Sequence, residues 1–342
     1  MPVSMRQQVR VGTYLAKQKL KKREKFPLIV ELEPLYACNL ACAGCGKIQY
    51  PAHILKQRMS VEQAVGAIEE SGAPMVSIAG GEPLIHPEVH LITEELMKRK
   101  KFVYLCTNAL LMRKKMHLFK PSAYFAWAVH IDGMRERHDE SVCQEGVFDK
   151  AVEAIKAAKE AGFRVTTNST FFTHDSPESI RAVLDFLNDE LKVDAMMISP
   201  AYAYWKAPDQ EHVLGVEQTR QLFTQAFAGG VRKKWRLNHT PLFLDFLEGK
   251  VDYECTPWGI PSYSIFGWQR PCYLQADGYA KTYQELVDTT DWSKYGRHSG
   301  NVQCQNCMAH CGYEPTAVLA TMGSLKESIR AVVGNRGAFG SA

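Results

Sequence analysis

The chain has 342 residues and a formal net charge of +4, and 46% of its residues are hydrophobic. This length suits one large domain and a smaller one. The sequence has no apolar run long enough to span a membrane and no secretory signal at its N-terminus, which excludes a membrane-spanning helix and favours a cytoplasmic enzyme. Ten cysteines in such a chain favour reduced thiols and metal ligation over a disulfide framework.

The N-terminal segment, residues 1–25, is basic and amphipathic. It contains eight basic residues and one acidic residue, and its apolar side chains form a modest stripe. Such a segment can lie on an anionic membrane surface, which predicts a possible peripheral location on the inner face of the cytoplasmic membrane. The alternative is a helix packed on the outside of the fold. Nucleic-acid binding is disfavoured because the basic cluster does not continue along the chain.

A predicted strand at 28–34 leads into three cysteines, Cys38, Cys42 and Cys45. Three thiolates on one short loop can hold three corners of a cubane [4Fe–4S] cluster, which leaves the fourth iron open to another ligand. The alternatives are a zinc knuckle or three unrelated buried thiols. Zinc sites, however, usually close with four ligands, commonly from two C-x2-C pairs.

A second motif follows after a predicted helix at 60–71. Ser60 and Gln63 have the spacing of a capping box, and Gly72 is placed to end the helix. The next predicted strand, 75–79, runs into Gly80-Gly81-Glu82-Pro83. Two glycines allow the backbone to approach a ligand closely. A cysteine triplet followed by this turn is a much stronger signal than either motif alone.

Strands and helices continue to alternate up to about residue 200. The further predicted strands are 102–107, 124–131, 163–171 and 193–200. The further predicted helices are 87–99, 109–117, 147–161, 177–190 and 216–228. Repeated βα units predict an α/β fold with a parallel sheet and helices outside it. The ligand site of such a fold lies at the carboxyl ends of the strands.

The cysteine spacing and the Gly-Gly-Glu turn resemble the signature of the radical S-adenosylmethionine (SAM) superfamily. The resemblance implies a partial (β/α)6 barrel at 26–215. It also implies that the amino and carboxylate groups of SAM chelate the open iron, and that reductive cleavage of SAM yields methionine and a 5′-deoxyadenosyl radical. The electron would come from a reductant such as flavodoxin or ferredoxin.

The same resemblance assigns cofactor contacts to polar residues near strand ends. Gly80, Gly81 and Glu82 correspond to the segment that meets the SAM amino group. The other candidates are Asn108, His130, Asp132 and Asn168. His130 stands where many relatives have a serine that helps to hold SAM. His130 therefore either takes the same polar role or faces the substrate. The alternative for each of these residues is an ordinary loop hydrogen bond.

Five further cysteines follow in a C-terminal extension at 216–322, before a tail at 323–342. They are Cys255, Cys272, Cys304, Cys307 and Cys311. The last three have C-x2-C-x3-C spacing, which is typical of metal ligands. The segment resembles the extensions of radical SAM proteins that carry an auxiliary iron–sulfur cluster, and one cluster or one zinc ion is the economical interpretation.

Over nearly its whole length the chain resembles the adenosylhopane synthases, the hopanoid-biosynthesis branch of the superfamily. The resemblance rests on the run 2–8, the loop 38–47, the segment 78–83 and the cysteines at 304–311. It implies that SAM is a co-substrate whose adenosyl radical adds to the alkene of diploptene, an apolar C30 hydrocarbon. Such a substrate needs a large apolar pocket. The aromatic candidates for its wall are Tyr104, Trp127, Phe171, Phe172, Tyr202, Tyr204 and Trp205. For any one of these residues, ordinary core packing is the favoured alternative.

Radical addition would leave a tertiary carbon radical that needs a hydrogen atom. Among the cysteines without a predicted metal, Cys106 lies at the end of a predicted strand, and Cys143 lies in a polar connection. We therefore predict Cys106 as the hydrogen-atom donor; the alternative is a cysteine packed outward against a helix. Two other functions remain: a radical SAM enzyme that modifies a peptide or protein, and an iron–sulfur electron carrier.

Overall fold

The computed structural model describes residues 3–334, so residues 1–2 and 335–342, the ends of the predicted N-terminal segment and tail, lie outside the described residues. Within this range the strands are β1 (Ile29–Glu33), β2 (Met75–Ile78), β3 (Phe102–Thr107), β4 (Phe125–His130), β5 (Val165–Phe171), β6 (Ala195–Pro200), β7 (Ser262–Ser264), β8 (Gly267–Gln269) and β9 (Tyr279–Ala280). The α-helices are α1 (Met5–Leu20), α2 (Ala52–Leu55), α3 (Val61–Ser71), α4 (Val89–Lys98), α5 (Met112–Lys115), α6 (Arg135–Ser141), α7 (Val147–Glu160), α8 (Pro177–Asp185), α9 (Val216–Ala226), α10 (Pro241–Leu247), α11 (Tyr283–Thr289), α12 (His310–Gly323) and α13 (Leu325–Gly334).

The strands form one sheet in the order β6-β5-β4-β3-β2-β1-β7-β8-β9. The pairs from β1 to β6 are all parallel, and β7 also pairs with β1 in parallel. The last two strands are antiparallel additions. The predicted partial (β/α)6 barrel with a cysteine-rich C-terminal extension is therefore confirmed.

Local sequence determines the helix ends as predicted. Ser60 and Gln63 form both hydrogen bonds of a capping box at the start of α3. Gly72 ends that helix in the left-handed conformation, with φ of 73°. Gly162, with φ of 80°, follows α7 in the same way. Glycine is favoured at both positions because a Cβ is strained at positive φ.

The two faces of the sheet have different surroundings. The outward side chains, such as Val103, Leu105 and Trp127, are buried against the helices in the main hydrophobic core. On the inner face, each of β1 to β6 contributes to the wall of one cavity of about 550 Å³. The sheet therefore curves around an interior space, which we call the lumen cavity.

Helix α1 closes the amino-terminal end of this barrel. Gln7, which is buried, donates from Nε2 to the Tyr104 hydroxyl at 2.8 Å. Leu15 is buried in a cluster with Leu28, Met75 and Phe102 at the strand starts. The helix therefore packs on the barrel with one face exposed, as the alternative expected, and it does so across the amino-terminal end. No helix among residues 3–334 is long and apolar enough to cross a membrane.

Candidate active site

The three-cysteine loop lies directly after β1. Cys38, Cys42 and Cys45 are all half-buried. Burial raises the pKa of the Cys42 thiol, and the neighbouring Cys45 and Cys38 raise it further, so the three sulfur atoms lie in one small region. Burial also raises the pKa of Cys38 to about 11. Such thiols keep their protons until a metal cation replaces them. The predicted set of three sulfur ligands is thus assembled at a strand end.

The Gly-Gly-Glu segment after β2 packs against this loop. The Gly81 amide donates to the Leu35 carbonyl at 3.0 Å, and the Glu82 amide donates to the Ala37 carbonyl at 2.9 Å. A Cβ on Gly81 would lie 2.1 Å from the Ala37 oxygen, and Gly80 adopts φ of 99°. Both positions therefore require glycine, and the two predicted motifs form one structural unit.

Glu82 links this unit to the end of β3. Its side chain is buried, and it accepts hydrogen bonds from the Leu84 amide at 3.0 Å, the Thr107 hydroxyl at 2.9 Å and the Asn108 amide at 2.8 Å. The Asn108 side chain in turn donates to Asn39 Oδ1 at 2.8 Å, within the cysteine loop. Burial raises the pKa of Glu82 to about 7. Glu82 therefore positions Asn108 beside the loop, and direct contact of either residue with SAM stays a prediction.

His130, the last residue of β4, pairs with Asp132 just after the strand. The imidazole Nε2 lies 2.9 Å from Asp132 Oδ2. Asp132 also accepts from the Ser141 hydroxyl at 2.5 Å and the Thr170 amide at 2.8 Å. Burial alone would raise the pKa of Asp132, but His130 and the Ser141 hydroxyl outweigh the effect of burial and hold this pKa at about 2. Asp132 thus acts as an anchor between strands, whereas His130 is partly exposed and free to contact a ligand at its edge.

Cys106 and Asn168 face the lumen cavity, whose wall includes both residues. The Cys106 sulfur lies 3.4 Å from the Ser77 hydroxyl, and burial raises the pKa of the thiol to about 12. The predicted alternative of outward packing is therefore wrong. Asn168 Oδ1 is buried and accepts no hydrogen bond within the described protein. Cys106 and Asn108 are two residues apart, so their side chains point to the same face of the strand. Because Asn108 contacts the cysteine loop, the cavity that Cys106 lines begins one layer of side chains below that loop.

The aromatic candidates do not form a common pocket wall. Tyr104 lines the lumen cavity. Trp127 and Phe171 are buried in the outer core instead, because their positions in the strand alternation point them at the helices. Phe172 stacks on His174. Of the seven candidates, only Tyr104 lines this cavity, and the core alternative is confirmed for Trp127 and Phe171.

Sequence reasoning missed a buried ion pair beside Cys45. Lys47 contacts Glu33 in a salt bridge, and both side chains are less than one-tenth exposed. The Lys47 ammonium also lies 5.0 Å from the ring centre of Tyr36 and 5.4 Å from that of Tyr204. The sequence signal for this ion pair was Lys47 itself, a lysine two residues after the predicted ligand Cys45. Its partner, Glu33, precedes the loop, so the spacing of the motif could not identify it.

The five C-terminal cysteines all line a second cavity of about 110 Å³, which we call the cysteine cavity. Burial raises the pKa of Cys255, and Cys307, Cys272 and Cys304 raise it further. Cys311 is buried in the same group. The predicted set of five is therefore brought together. Cys143, which was not assigned a metal, is exposed on a separate loop.

Neither group of cysteines has the spacing of a single-ion site. Within residues 3–334, no three His, Cys, Asp or Glu side chains lie close enough together to hold one metal ion. A tetrahedral zinc site needs all its sulfur ligands at about 2.3 Å from one centre. Iron–sulfur and zinc ligation of the C-terminal cysteines therefore both stay predictions.

Comparison with known families agrees with this geometry. The radical SAM superfamily model matches residues 32–187, which contain the cysteine loop and the Gly-Gly-Glu unit. Residues 32–187 are thus similar to the radical SAM superfamily. A second model, described as a domain of unknown function (DUF3463), matches residues 196–331, which contain the cysteine cavity.

Individual relatives of this chain are distant. The chain is 24% identical over 203 residues to the Fe-coproporphyrin III synthase of Methanosarcina barkeri, covering 58% of this chain and 50% of that protein. It is 28% identical over 167 residues to the subtilosin biosynthesis protein AlbA of Bacillus subtilis, covering 45% and 37%. The chain spans about half the length of the curated relatives it matches, or less.

The solved structures support the fold. SuiB of Streptococcus suis bound to S-adenosylmethionine superposes with a TM-score of 0.66 at 17% identity, covering 87% of this chain and 75% of that one. Radical SAM proteins bind a [4Fe–4S] cluster and SAM, and the residues present fit both. Cys38, Cys42 and Cys45, the predicted sulfur ligands, lie together, and the glycine backbone at 80–81 packs directly against their loop.

Proposed function

We propose that this protein is a radical SAM enzyme that adds the 5′-deoxyadenosyl group of SAM to the alkene of an apolar triterpene, diploptene. The observation that carries the proposal is the lumen cavity. Its volume of about 550 Å³ lies within the usual range of ligand pockets, about 300–1,000 Å³. Aliphatic side chains from several elements line it, among them Val11, Leu15, Ile29, Met75 and Leu237.

The position of Cys106 supports the same reaction. The bound cluster supplies one electron for the cleavage of SAM. The adenosyl 5′ carbon then bonds to the terminal alkene carbon, and the unpaired electron moves to the adjacent tertiary carbon. The Cys106 S–H bond is weaker than the tertiary C–H bond that forms, so Cys106 can donate the hydrogen atom. The resulting thiyl radical regains its hydrogen from one electron and one proton, the electron coming from a flavodoxin- or ferredoxin-type reductant.

The raised pKa of Cys106 suits this role. Burial holds the pKa near 12, so the sulfur keeps its proton at neutral pH. A thiolate has no hydrogen atom to give. Ser77, 3.4 Å away, is the polar partner that orients the thiol in the cavity wall.

An auxiliary cluster in the cysteine cavity is part of the proposal. Five thiols around about 110 Å³ exceed the four ligands that a cubane cluster takes. Gln275 donates to the Cys304 sulfur at 3.1 Å, a contact that stabilises a thiolate ligand. Tyr202 of this cavity and Tyr273 of the lumen cavity share a hydrogen bond, so one tyrosine pair separates the two spaces.

A second candidate function is peptide or protein modification. It is favoured by the similarity to AlbA, a bacteriocin biosynthesis protein, and by the fold of SuiB, which has also been solved with its precursor peptide. A peptide needs partners for its backbone N–H and C=O groups. Polar side chains of the lumen cavity, among them Asn168, Asn238 and His310, offer a few such partners, but most of the wall surface is apolar. We therefore rank the triterpene first.

The two functions are separated by substrate and by a cavity-filling variant. We expect diploptene, and not a peptide, to stimulate SAM consumption under anaerobic reducing conditions. Ala128→Phe places a ring inside the lumen cavity, so it should abolish diploptene turnover while slow substrate-free SAM cleavage persists. Full diploptene turnover by Ala128→Phe, or stimulation by a peptide alone, would contradict the proposal.

A further inference from the structure

Helix α1 presents two different faces. One face packs on the barrel through Gln7, Leu15 and Gln18, which are buried. The opposite face carries Met5 and Leu20, which are 56% and 85% exposed. At 100° per residue these two positions lie about 60° apart on the helix, with Val9 and Ala16 between them. An apolar stripe of α1 therefore faces away from the protein.

A second exposed apolar group lies on α12 and α13. Met322, Leu325 and Ile329 are 51%, 79% and 55% exposed. Leu325 and Ile329 are four residues apart, so they share one face of α13. This group and the stripe of α1 account for half of the large exposed hydrophobic side chains in the described part of the chain.

The two apolar groups meet at the mouth of the lumen cavity. Met5, Val9 and Met322 line that cavity and are also exposed, so the cavity reaches the surface between α1 and α12. Ser328 of α13 lines it too. We use the term apolar rim for Met5, Val9, Met322, Leu325 and Ile329.

The charges beside the rim are mainly positive. Arg6, Arg10 and Lys17 are exposed and lie along one side of the α1 stripe. On α13, Lys326 is exposed, whereas Arg330 is paired with Asp245 at 2.6 Å and with Glu327 at 3.3 Å. Arg6 also lies over the Tyr124 ring, at 5.6 Å from its centre. An apolar surface bordered by exposed basic side chains matches a bilayer with anionic headgroups.

We propose that the apolar rim docks on the surface of an anionic lipid bilayer, with the mouth of the lumen cavity opening into the lipid. Docking in this orientation would let an apolar substrate pass from bilayer to cavity without crossing water. The delivery role rests on the proposed function, but the docking itself does not. Because α1 also closes the cavity, point substitutions test this surface more cleanly than deletion of the helix.

The test is co-sedimentation of the full chain with phosphatidylcholine vesicles that contain or lack phosphatidylglycerol. We expect binding to the anionic vesicles that weakens in high salt, since screening shortens the range of the attraction. Arg10→Glu with Lys17→Glu should lower the partition coefficient about 30-fold or more. Leu325→Gln with Ile329→Gln should lower it about tenfold or more. The matched control is Leu118→Gln, which replaces a 42% exposed leucine away from the rim.

Melting temperatures of the variants show whether each remains folded. Failure of the wild-type protein to bind anionic vesicles at low salt, or equal binding by wild type and both double variants, would overturn the proposal. So would light scattering that shows a dimer broken by Leu325→Gln with Ile329→Gln, since the rim would then be an interface between copies. Vesicle binding needs no substrate, so inactivity toward diploptene alone would refute the proposed function and leave this result standing.

Discussion

Replacement of Gly81 by alanine is the sharpest test of the cofactor site. The new Cβ would lie 2.1 Å from the Ala37 carbonyl oxygen and 2.6 Å from the Tyr36 carbonyl oxygen. Carbon–oxygen contacts between backbones are normally about 3.3 Å or longer. The cysteine loop and the glycine segment must therefore separate by roughly 1 Å, and a misplacement of that size can cost about 10²-fold in rate.

The assay for Gly81→Ala is anaerobic formation of 5′-deoxyadenosine, together with SAM binding and cluster content. We expect cleavage to fall about 10²-fold while the protein stays folded. Gly66→Ala is the matched control: its Cβ meets nothing within 4 Å, and alanine in a helix should stabilise by about 0.5–1 kcal/mol. Native cleavage by Gly81→Ala would refute the assignment of this segment to SAM.

Three further predictions test individual residues. Cys106→Ala should still consume SAM and form the carbon–carbon bond but give less product or a mixture of epimers, which chiral chromatography would detect. The control, Cys143→Ala, should give an unchanged single epimer. The same result for Cys106→Ala would exclude the donor role. Lys47→Met leaves the buried Glu33 carboxylate unpaired, so urea unfolding should show a loss of about 3–5 kcal/mol; a loss below about 1 kcal/mol would contradict a buried pair. The pKa of Asp132 is about 2 in the folded protein against an ordinary 3.8, so above pH 4 the ionised carboxylate adds about 2 kcal/mol to the free energy of unfolding. This contribution is lost as the pH falls through 2. Acid unfolding of apo Asp132→Asn should lack this contribution, and a wild-type profile would show the anchor role to be wrong.

The barrel and the grouping of the three loop cysteines could be predicted because their signals are local. The predicted strand 102–107 coincides with β3 over its full extent. The spacing of Cys38, Cys42 and Cys45 requires only that one loop fold back on itself. The capping residues of α3 act within one helical turn.

What could not be predicted depends on contacts between distant segments. Gln7 and Tyr104 are 97 residues apart, and only their contact shows that α1 closes the barrel. The strands β7 to β9 have two or three residues each, too few for any periodicity. Trp127 was expected in the pocket because strand alternation does not say which face is inside.

The measurement that tests the central claim most directly is mass spectrometry of the anaerobic reaction with diploptene, a reductant and SAM labelled with ¹³C at the 5′ carbon of its adenosyl group. The account predicts a product with the mass of diploptene plus one adenosyl group and one hydrogen atom, carrying the label, in step with SAM consumption. Label found only in free 5′-deoxyadenosine, with diploptene unchanged, would contradict it.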